Sequence, residues 1–441
     1  MNLEERIRKE FLYHGVRSAA QLAASLRISQ PTLSRKLSKT ALPILRIGAG
    51  RSALYSLKRT VSTVGSSWPL FEIQEDGKER KIGQLSALHA NKWHVETDWN
   101  SLKGDDFSNG IFPGLPWFLD DVRPQGFLGR AFAKIHGPLI GYGGDPTRWT
   151  GDAIIEAFLR FSSFGGDLSG SFVIGEEALT FATRLPSEKS IVHYKQREQV
   201  YPLLAEAAIK GTLPGSSAGG EQPKFTLLVQ EEDGSLRHLL VKFSGNREHL
   251  EEERWADLLA AEQIAFTLLA EEGLTSGKAT VLDAAGRRFL SIDRFDRVGL
   301  TGRRAMISLL ALDSAFFGQA YTSWSDAADR LEQTHWISSE DAARMRLLWH
   351  FGSLIGNNDM HYGNISFLLK KELPVVLAPS YDMLPMSLRP NIQGELPSTI
   401  ERKIQSGCPE RALELERCFW QRVSESMLIS ENFRKIAMWQ K

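Results

Sequence analysis

Apolar residues recur at helical spacing from the start of the chain. Leu3, Ile7, Phe11 and Leu12 predict one amphipathic helix, and Ala19, Leu22, Ala23 and Leu26 a second that Ser18 caps. After a turn at Arg27-Ile28-Ser29, Gln30-Pro31-Thr32 opens a third helix, with proline in the first turn where its missing N–H costs nothing. Leu33 and Leu37 face inward from it. Ile44–Ile47, Gly48–Arg51 and Ala53–Leu57 then read as strand, glycine turn, strand. This order predicts a winged helix-turn-helix domain over residues 1–62, with Gln30, Thr32, Ser34, Arg35, Lys36 and Lys39 presented to DNA.

Further along, Ser62–Trp68 is short and polar, as a linker would be. Leu70–Ile73 and Arg80–Leu85 alternate around Glu75-Asp76-Gly77 as a β-hairpin. Residues 114–130 are apolar and turn-rich without a clear period. Thr150–Ser162 has helical spacing, and the glycine-rich stretch 165–170 reads as a turn before a strand at Ser171–Gly175. Phe225–Val229 and Leu239–Phe243 predict two more strands, Glu251–Glu271 a long helix, and residues 286–293 a strand entering a polar bend. Two apolar segments, Arg346–Ile355 and Ile365–Leu369, enclose the polar run Gly356–Asn364. The whole predicts an α+β chain.

Charge divides the chain unevenly. The total is zero, yet residues 1–60 hold twelve Lys/Arg against three Asp/Glu. A basic front module joined to a mildly acidic body fits a domain that meets a polyanion such as DNA. With only two cysteines, a disulfide framework is not expected. The charged N-terminus lacks a signal peptide's apolar core, and no apolar run is of membrane-spanning length. The sequence reads as cytoplasmic.

The candidate chemistry lies in four places. Lys242 interrupts an apolar strand with a charge, as a lysine reaching nucleotide phosphates does, and the glutamates of the following helix, Glu262 foremost, are placed to pair with it. Asp359 and Asn364 stand five apart, the spacing of a kinase catalytic aspartate and its metal-binding asparagine, and Asp382 follows the next strand where a second metal-binding carboxylate belongs. The small-residue loop Leu213–Lys224 is rich in backbone N–H groups that can fold over phosphates. In another chemistry, Asp359, His361 and Asp382 could hold the metal of a nuclease.

The motifs Ser217–Lys224, Val241-Lys242, Asp293–Arg297, Asn358–Asn364 and Tyr381-Asp382, in this order, resemble the HipA-like serine/threonine kinases of bacterial toxin–antitoxin systems from about residue 70 to the C-terminus. The resemblance implies a two-lobed protein-kinase-like fold that uses ATP and Mg²⁺. It divides the body into a HipA-like N-terminal subdomain at 68–150, a kinase N-lobe at 151–300 and a helical C-lobe at 301–441. It places Ser217, Ala218, Gly219, Gly220, Glu221, Gln222, Lys224, Lys242, Asp293, Arg294, Phe295, His361 and Asn364 at ATP, makes Asp359 the catalytic base, and gives Asn364 and Asp382 to the metal. It further implies autophosphorylation of the loop at Ser217, with Ser216 the adjacent alternative, and a protein substrate among translation factors such as aminoacyl-tRNA synthetases. The best-known members borrow DNA binding from a separate antitoxin, whereas this chain carries its own helix-turn-helix candidate. A transcription regulator that senses nucleotide without transferring phosphate is the other reading.

Overall fold

The computed structural model describes residues 1–161, 168–210, 222–320, 322–391, 393–400 and 404–440. At the front, helices Leu3–His14, Ala19–Leu26 and Gln30–Leu37 are each capped: Ser18, as expected, and also Asn2 and Ser29 accept a backbone N–H of the first turn. Arg27 takes a left-handed conformation to turn the second helix into the third. Ile44–Ile47 pairs antiparallel with Leu54–Leu57, and the two-residue strand Arg17–Ser18 joins its other edge. Three helices followed by a β-hairpin are the element order expected of a winged helix. Ile7, Phe11, Leu22, Leu26, Leu33 and Leu57 close a small core of their own.

The segment read as a linker is packed instead. Val61 is buried, Ser67 and Trp68 already belong to a strand, and Ser62 Oγ donates to Glu156 Oε1 over 2.8 Å. Arg59 grips Asp152 through both terminal nitrogens, at 2.5 and 2.7 Å, donates to the Leu88 carbonyl, and lies 5.0 Å from the centre of the Trp93 ring. A two-pronged guanidinium–carboxylate contact over an indole fixes orientation as well as distance.

A five-stranded sheet follows, in the order Ile111–Phe112, Lys92–Thr97, Glu79–Leu88, Ser67–Ile73, Phe172–Ile174. Its last strand, expected within the 151–300 lobe, pairs with Ser67–Ile73 and so belongs here, with helix Gly151–Arg160 beneath it. The aperiodic stretch 114–130 folds as a tight turn at Trp117–Val122 and a helix at Gly126–His136. Trp117 packs edge-on to Phe118, Phe316 and Trp336, so tertiary aromatic contacts order it where periodicity gave no signal.

The second five-stranded sheet runs Ala279–Ala284, Arg287–Asp293, Leu236–Phe243, Lys224–Gln230, Ile191–His193, with helix Leu250–Glu271 across it. That helix is buried over most of its length, which leaves it no polar face to solvent. Beyond the sheet lie helices Leu309–Phe316, Trp324–Gln333, Ser339–Leu354, Glu410–Glu425 and Glu431–Met438, with a small sheet of Met306–Ser308, Ser366–Leu368 and Val376–Leu377. The long helix reaches into this half: Arg254 donates to the carbonyls of Leu388 and Pro397, at 2.8 and 2.7 Å, and Asp257 accepts from Ser430. Among the described residues no helix is long and apolar enough to cross a membrane.

The Arg59 junction gives a test. Arg59→Ala is expected to speed limited proteolysis between residues 58 and 66 and to lower the first melting transition by several degrees, and Arg59→Lys to recover little, because lysine cannot form the two-pronged contact.

Candidate active site

Strand Leu236–Phe243 carries Lys242 to the side facing the long helix, where only 4 % of its surface is exposed. Its Nζ donates to Glu262 Oε1 over 2.6 Å and to a carboxylate oxygen of Asp382. Burial opposes the ammonium charge, but the carboxylates of Asp382 and Glu262 outweigh it and hold the lysine pKa above its ordinary value. Asp382 answers to the same balance: burial would raise it, yet Lys242 and Lys224 push it down to about 2. Glu262, fully enclosed, is raised by its burial, and its Oε2 has no hydrogen-bond partner among the described residues. Lys224 lies directly across from Lys242 in the strand register. Like charges opposite one another in a ladder repel, so this arrangement persists because two carboxylates face it.

The polar run sits between helix Ser339–Leu354 and strand Ser366–Leu368. Gly356 ends the helix at φ +80°, a conformation that glycine adopts without strain. Asn357 follows, 6 % exposed. Its Oδ1 accepts the Asp359 N–H over 3.1 Å, and its Nδ2 donates to the Asp382 carbonyl over 3.1 Å. Asn364 Nδ2 donates to the Asp359 carbonyl over 2.7 Å, which commits its nitrogen and leaves Oδ1 as the group to present elsewhere. The Asp359 carboxylate forms no hydrogen bond or ion pair among the described residues. His361 turns Nδ1 back to accept the Gly363 N–H at 3.0 Å. Tyr362 is buried, its hydroxyl between Thr322 at 2.6 Å and Arg330 at 2.9 Å. Tyr381 donates to the Gly363 carbonyl over 3.0 Å and contacts Ser366 Oγ at 2.7 Å.

Beside Asp382 a cavity of about 750 Å³ runs along the sheet. Leu240, Ile292 and Phe266 line one side; Leu128 and Phe132 of helix Gly126–His136 line another. Asp293, Arg294 and Phe295 border it as expected, but two of their side chains are committed elsewhere. Asp293 accepts from Arg237 and from the Lys278 N–H, each at 2.7 Å, and Arg294 forks onto Asp296 at 3.1 and 3.0 Å. Phe295 stacks on Tyr381 with 5.8 Å between centroids. Gln222 reaches the Phe243 carbonyl over 2.7 Å, next to Lys242. Ser216, Ser217, Ala218, Gly219, Gly220 and Glu221 lie outside the described residues.

The sequence picked out Lys242, Glu262, Asp359, Asn364 and Asp382, and hydrogen bonds join them into one neighbourhood. It missed Asn357. On the front domain, Gln30, Ser34, Arg35 and Lys39 are exposed. Thr32 instead contacts the Ser29 cap at 2.9 Å, and Lys36, expected outward, pairs with Glu4 of the first helix at 2.6 Å.

Removing the cation tests the buried cluster. Lys242→Met leaves the enclosed Glu262 without its counter-ion, at a cost of about 3–5 kcal/mol. A carboxylate whose folded pKa is raised stabilises the fold below its unfolded pKa and loses that contribution as pH rises through the folded value. The melting temperature of Lys242→Met, relative to the unsubstituted protein, should therefore fall further at pH ~8 than at pH ~5 in a thermal scan.

With that geometry in place, the chain can be set beside known proteins. Residues 216–436 match the HipA-like C-terminal domain, and residues 64–183 match the middle domain of YjjJ-like toxins. Toxin YjjJ of Escherichia coli (strain K12) is 35 % identical over 440 residues, covering 97 % of this chain and 95 % of its own. Among solved structures, Shewanella oneidensis MR-1 HipA, determined in a complex of HipA, HipB and operator DNA, aligns over 84 % of this chain and 94 % of its own with TM-score 0.52 and 16 % identity, a likeness of fold. The Helicobacter pylori proinflammatory kinase CtkA covers 51 % of this chain and 87 % of its own at TM-score 0.34 and 14 % identity, too low to bear on the fold. The identity and coverage to the curated relative, with the C-terminal domain match over half the chain, establish that this protein belongs to the HipA-like toxin family.

Proposed function

We propose that this protein is a cytoplasmic, ATP- and Mg²⁺-dependent serine/threonine protein kinase acting as a growth-inhibiting toxin, with a DNA-binding front domain. The observation that carries the reading is the Lys242–Glu262–Asp382 contact, held beside Asp359 and Asn364 by Asn357. The residues fit a nucleotide and its cation. Lys242 and Lys224 both act on Asp382, and the Asn364 amide is turned so that its oxygen has no partner among the described residues. A lone asparagine and carboxylate suit Mg²⁺, which keeps waters and phosphate oxygens as its other ligands. When bound, Mg²⁺ neutralises charge that develops on the phosphates.

Lys242 and Lys224 would hold the phosphate oxygens. By exchanging Asp382 for phosphate, Lys242 leaves that carboxylate free to face the cation. Asp359, whose carboxylate has no hydrogen-bond partner among the described residues, would accept the proton of the attacking hydroxyl. Ser217, or Ser216 beside it, is the hydroxyl proposed for self-modification, where about two added negative charges would repel the nucleotide and eject the loop. Translation factors such as aminoacyl-tRNA synthetases are the substrate class that the family resemblance favours. The relative solved with HipB and operator DNA supports looking for an antitoxin and DNA as partners.

Incubation with γ-labelled ATP should place phosphate on Ser216 or Ser217, and Asp359→Gln should abolish both labelling and growth inhibition. Toxicity that survives Asp359→Gln, with DNA cleaved in the absence of ATP, would sink the reading in favour of a nuclease. For the front domain, Arg35→Ala with Lys39→Ala should weaken duplex binding and flatten its log–log salt dependence by about two. Lys36→Ala should change it less, since that charge is already held by Glu4. Equal binding by all three proteins would return the front charge to ordinary surface.

A further inference from the structure

We propose that Asn357 is a positioning residue that sets the distance and orientation between the base loop and the metal-facing aspartate. The inference rests on the kinase reading and names a part of the machinery that acts without touching substrate. An asparagine amide is costly to bury unless its hydrogen bonds are made. Asn357 is 6 % exposed and uses both ends of its amide: the oxygen on the Asp359 N–H, the nitrogen on the Asp382 carbonyl. One side chain thus ties the main chain of the proposed base to the main chain of the proposed metal ligand, which lies 25 residues beyond Asn357 itself. Its neighbour Asn358 is exposed and has no such bond.

Two further observations make this tie a determinant of geometry. Asp382 has φ +55°, a left-handed conformation that a non-glycine residue holds only when its surroundings impose it. A bond to its carbonyl oxygen fixes the peptide plane that follows and so restrains the backbone from which its carboxylate projects. Tyr381 adds a second strut, donating from its hydroxyl to the carbonyl of Gly363, the residue before Asn364. Asp359 and Asn364 are thereby each linked to the Tyr381-Asp382 pair. The junction is also closely packed. A Cβ on Gly352 would stand 2.4 Å from Met360 Sδ and 2.9 Å from Met383 Sδ, and Met383 Sδ is 3.7 Å from the Asn357 nitrogen. Little water can stand in for a lost amide there.

Asn357→Asp keeps an oxygen for the Asp359 N–H and removes the donor to Asp382. Asn357→Ala removes both bonds, and Tyr381→Phe removes only the second strut. Groups that orient a metal ligand from behind change metal affinity by about 10–100-fold when removed. We expect the Mg²⁺ concentration for half-maximal self-labelling to rise at least ~10-fold in Asn357→Asp, and to rise less in Tyr381→Phe. Affinity for ATP measured in EDTA should stay within about two-fold, because the lysines are untouched. In the protein without ligands, amide hydrogen exchange of the peptide spanning 357–364 should accelerate in Asn357→Ala. An unchanged Mg²⁺ requirement in Asn357→Asp overturns the proposal while leaving the kinase reading intact. So does a parallel loss of metal-free ATP affinity and melting temperature in both Asn357 variants, which would make the residue merely structural. Should Asn357→Asp fail to fold, an unchanged Mg²⁺ requirement in Tyr381→Phe, together with unchanged exchange in Asn357→Ala, overturns it equally. A wild-type protein with no Mg²⁺-dependent ATP binding or labelling brings down the kinase reading and this one with it.

Discussion

An ammonium group taken out of water must find compensation close at hand, since the effective penalty is several kcal/mol per ion. Lys242 finds it in two carboxylates that come from different parts of the fold. Glu262 arrives on the long helix and Asp382 on a loop of the far lobe, 140 residues away in sequence. The strand, the helix and the loop must all be in register for the charge to be tolerated. The helix meets that demand by being anchored at its other end to the same lobe, through Arg254 and Asp257. A buried ion pair of this kind is poor evidence for stability, because apolar side chains of similar size often serve as well. Glu262 Oε2, without a partner among the described residues, and Lys224, opposed across the ladder to another lysine, are further costs. Costs that stability does not repay cluster at functional sites. This cluster has what an anion would need to replace Asp382 on two cations.

How much of this was legible depends on how local each signal is. The front helices announce themselves through Ser18 as a cap and Pro31 in a first turn, local signals that the structure uses, and Ser29, read as part of a turn, proves to cap the third helix. Lys242 was legible because a charge inside an apolar strand demands an explanation. Glu262 was one of several glutamates on the following helix that could pair with Lys242, and the structure picks it out. What the sequence could not carry were pairings set by distant chain segments. Lys36 looks outward on a helical wheel, but Glu4 captures it from 32 residues away. Asn357 and Asn358 are chemically identical, and only the return of the chain at Asp382 distinguishes them. Residues 114–130 showed no period because aromatic contacts with Phe316 and Trp336 order them.

The motifs bring a set of residues to one neighbourhood, and the hydrogen bonds show which of their side chains are already engaged. The motifs placed Asp293 and Arg294 at the nucleotide. The structure shows Asp293 pinning the end of its strand to Arg237, and Arg294 bound to Asp296, whose charge is kept by Arg294 and Arg297 despite full burial. Arg297 in turn donates to the carbonyls of Leu168 and Gly170, in the turn before strand Phe172–Ile174 of the preceding sheet. Asp296 and Arg297 tie the end of the second sheet to that turn, while the Asp293 and Arg294 side chains border the cavity already engaged within the protein. Motif matching identifies the neighbourhood; hydrogen-bond accounting separates the groups that are free to act from those already spent.

The same accounting bears on the fusion of front domain and body. A flexible linker would let the basic module sample many orientations, and its charge would then act only by raising local concentration. Here the connection is packed: Val61 is buried, Arg59 is forked onto Asp152 above Trp93, and Lys58 bridges to Leu88. Helix Gln30–Leu37 is thereby held at a fixed attitude to the rest of the chain. A duplex on that helix would meet the acidic remainder of the chain at a set distance and angle, so like-charge repulsion between phosphates and body would have to be designed around. The packed junction makes a single productive orientation possible, and it makes the body's surface charge part of the determinants of where such a chain can sit.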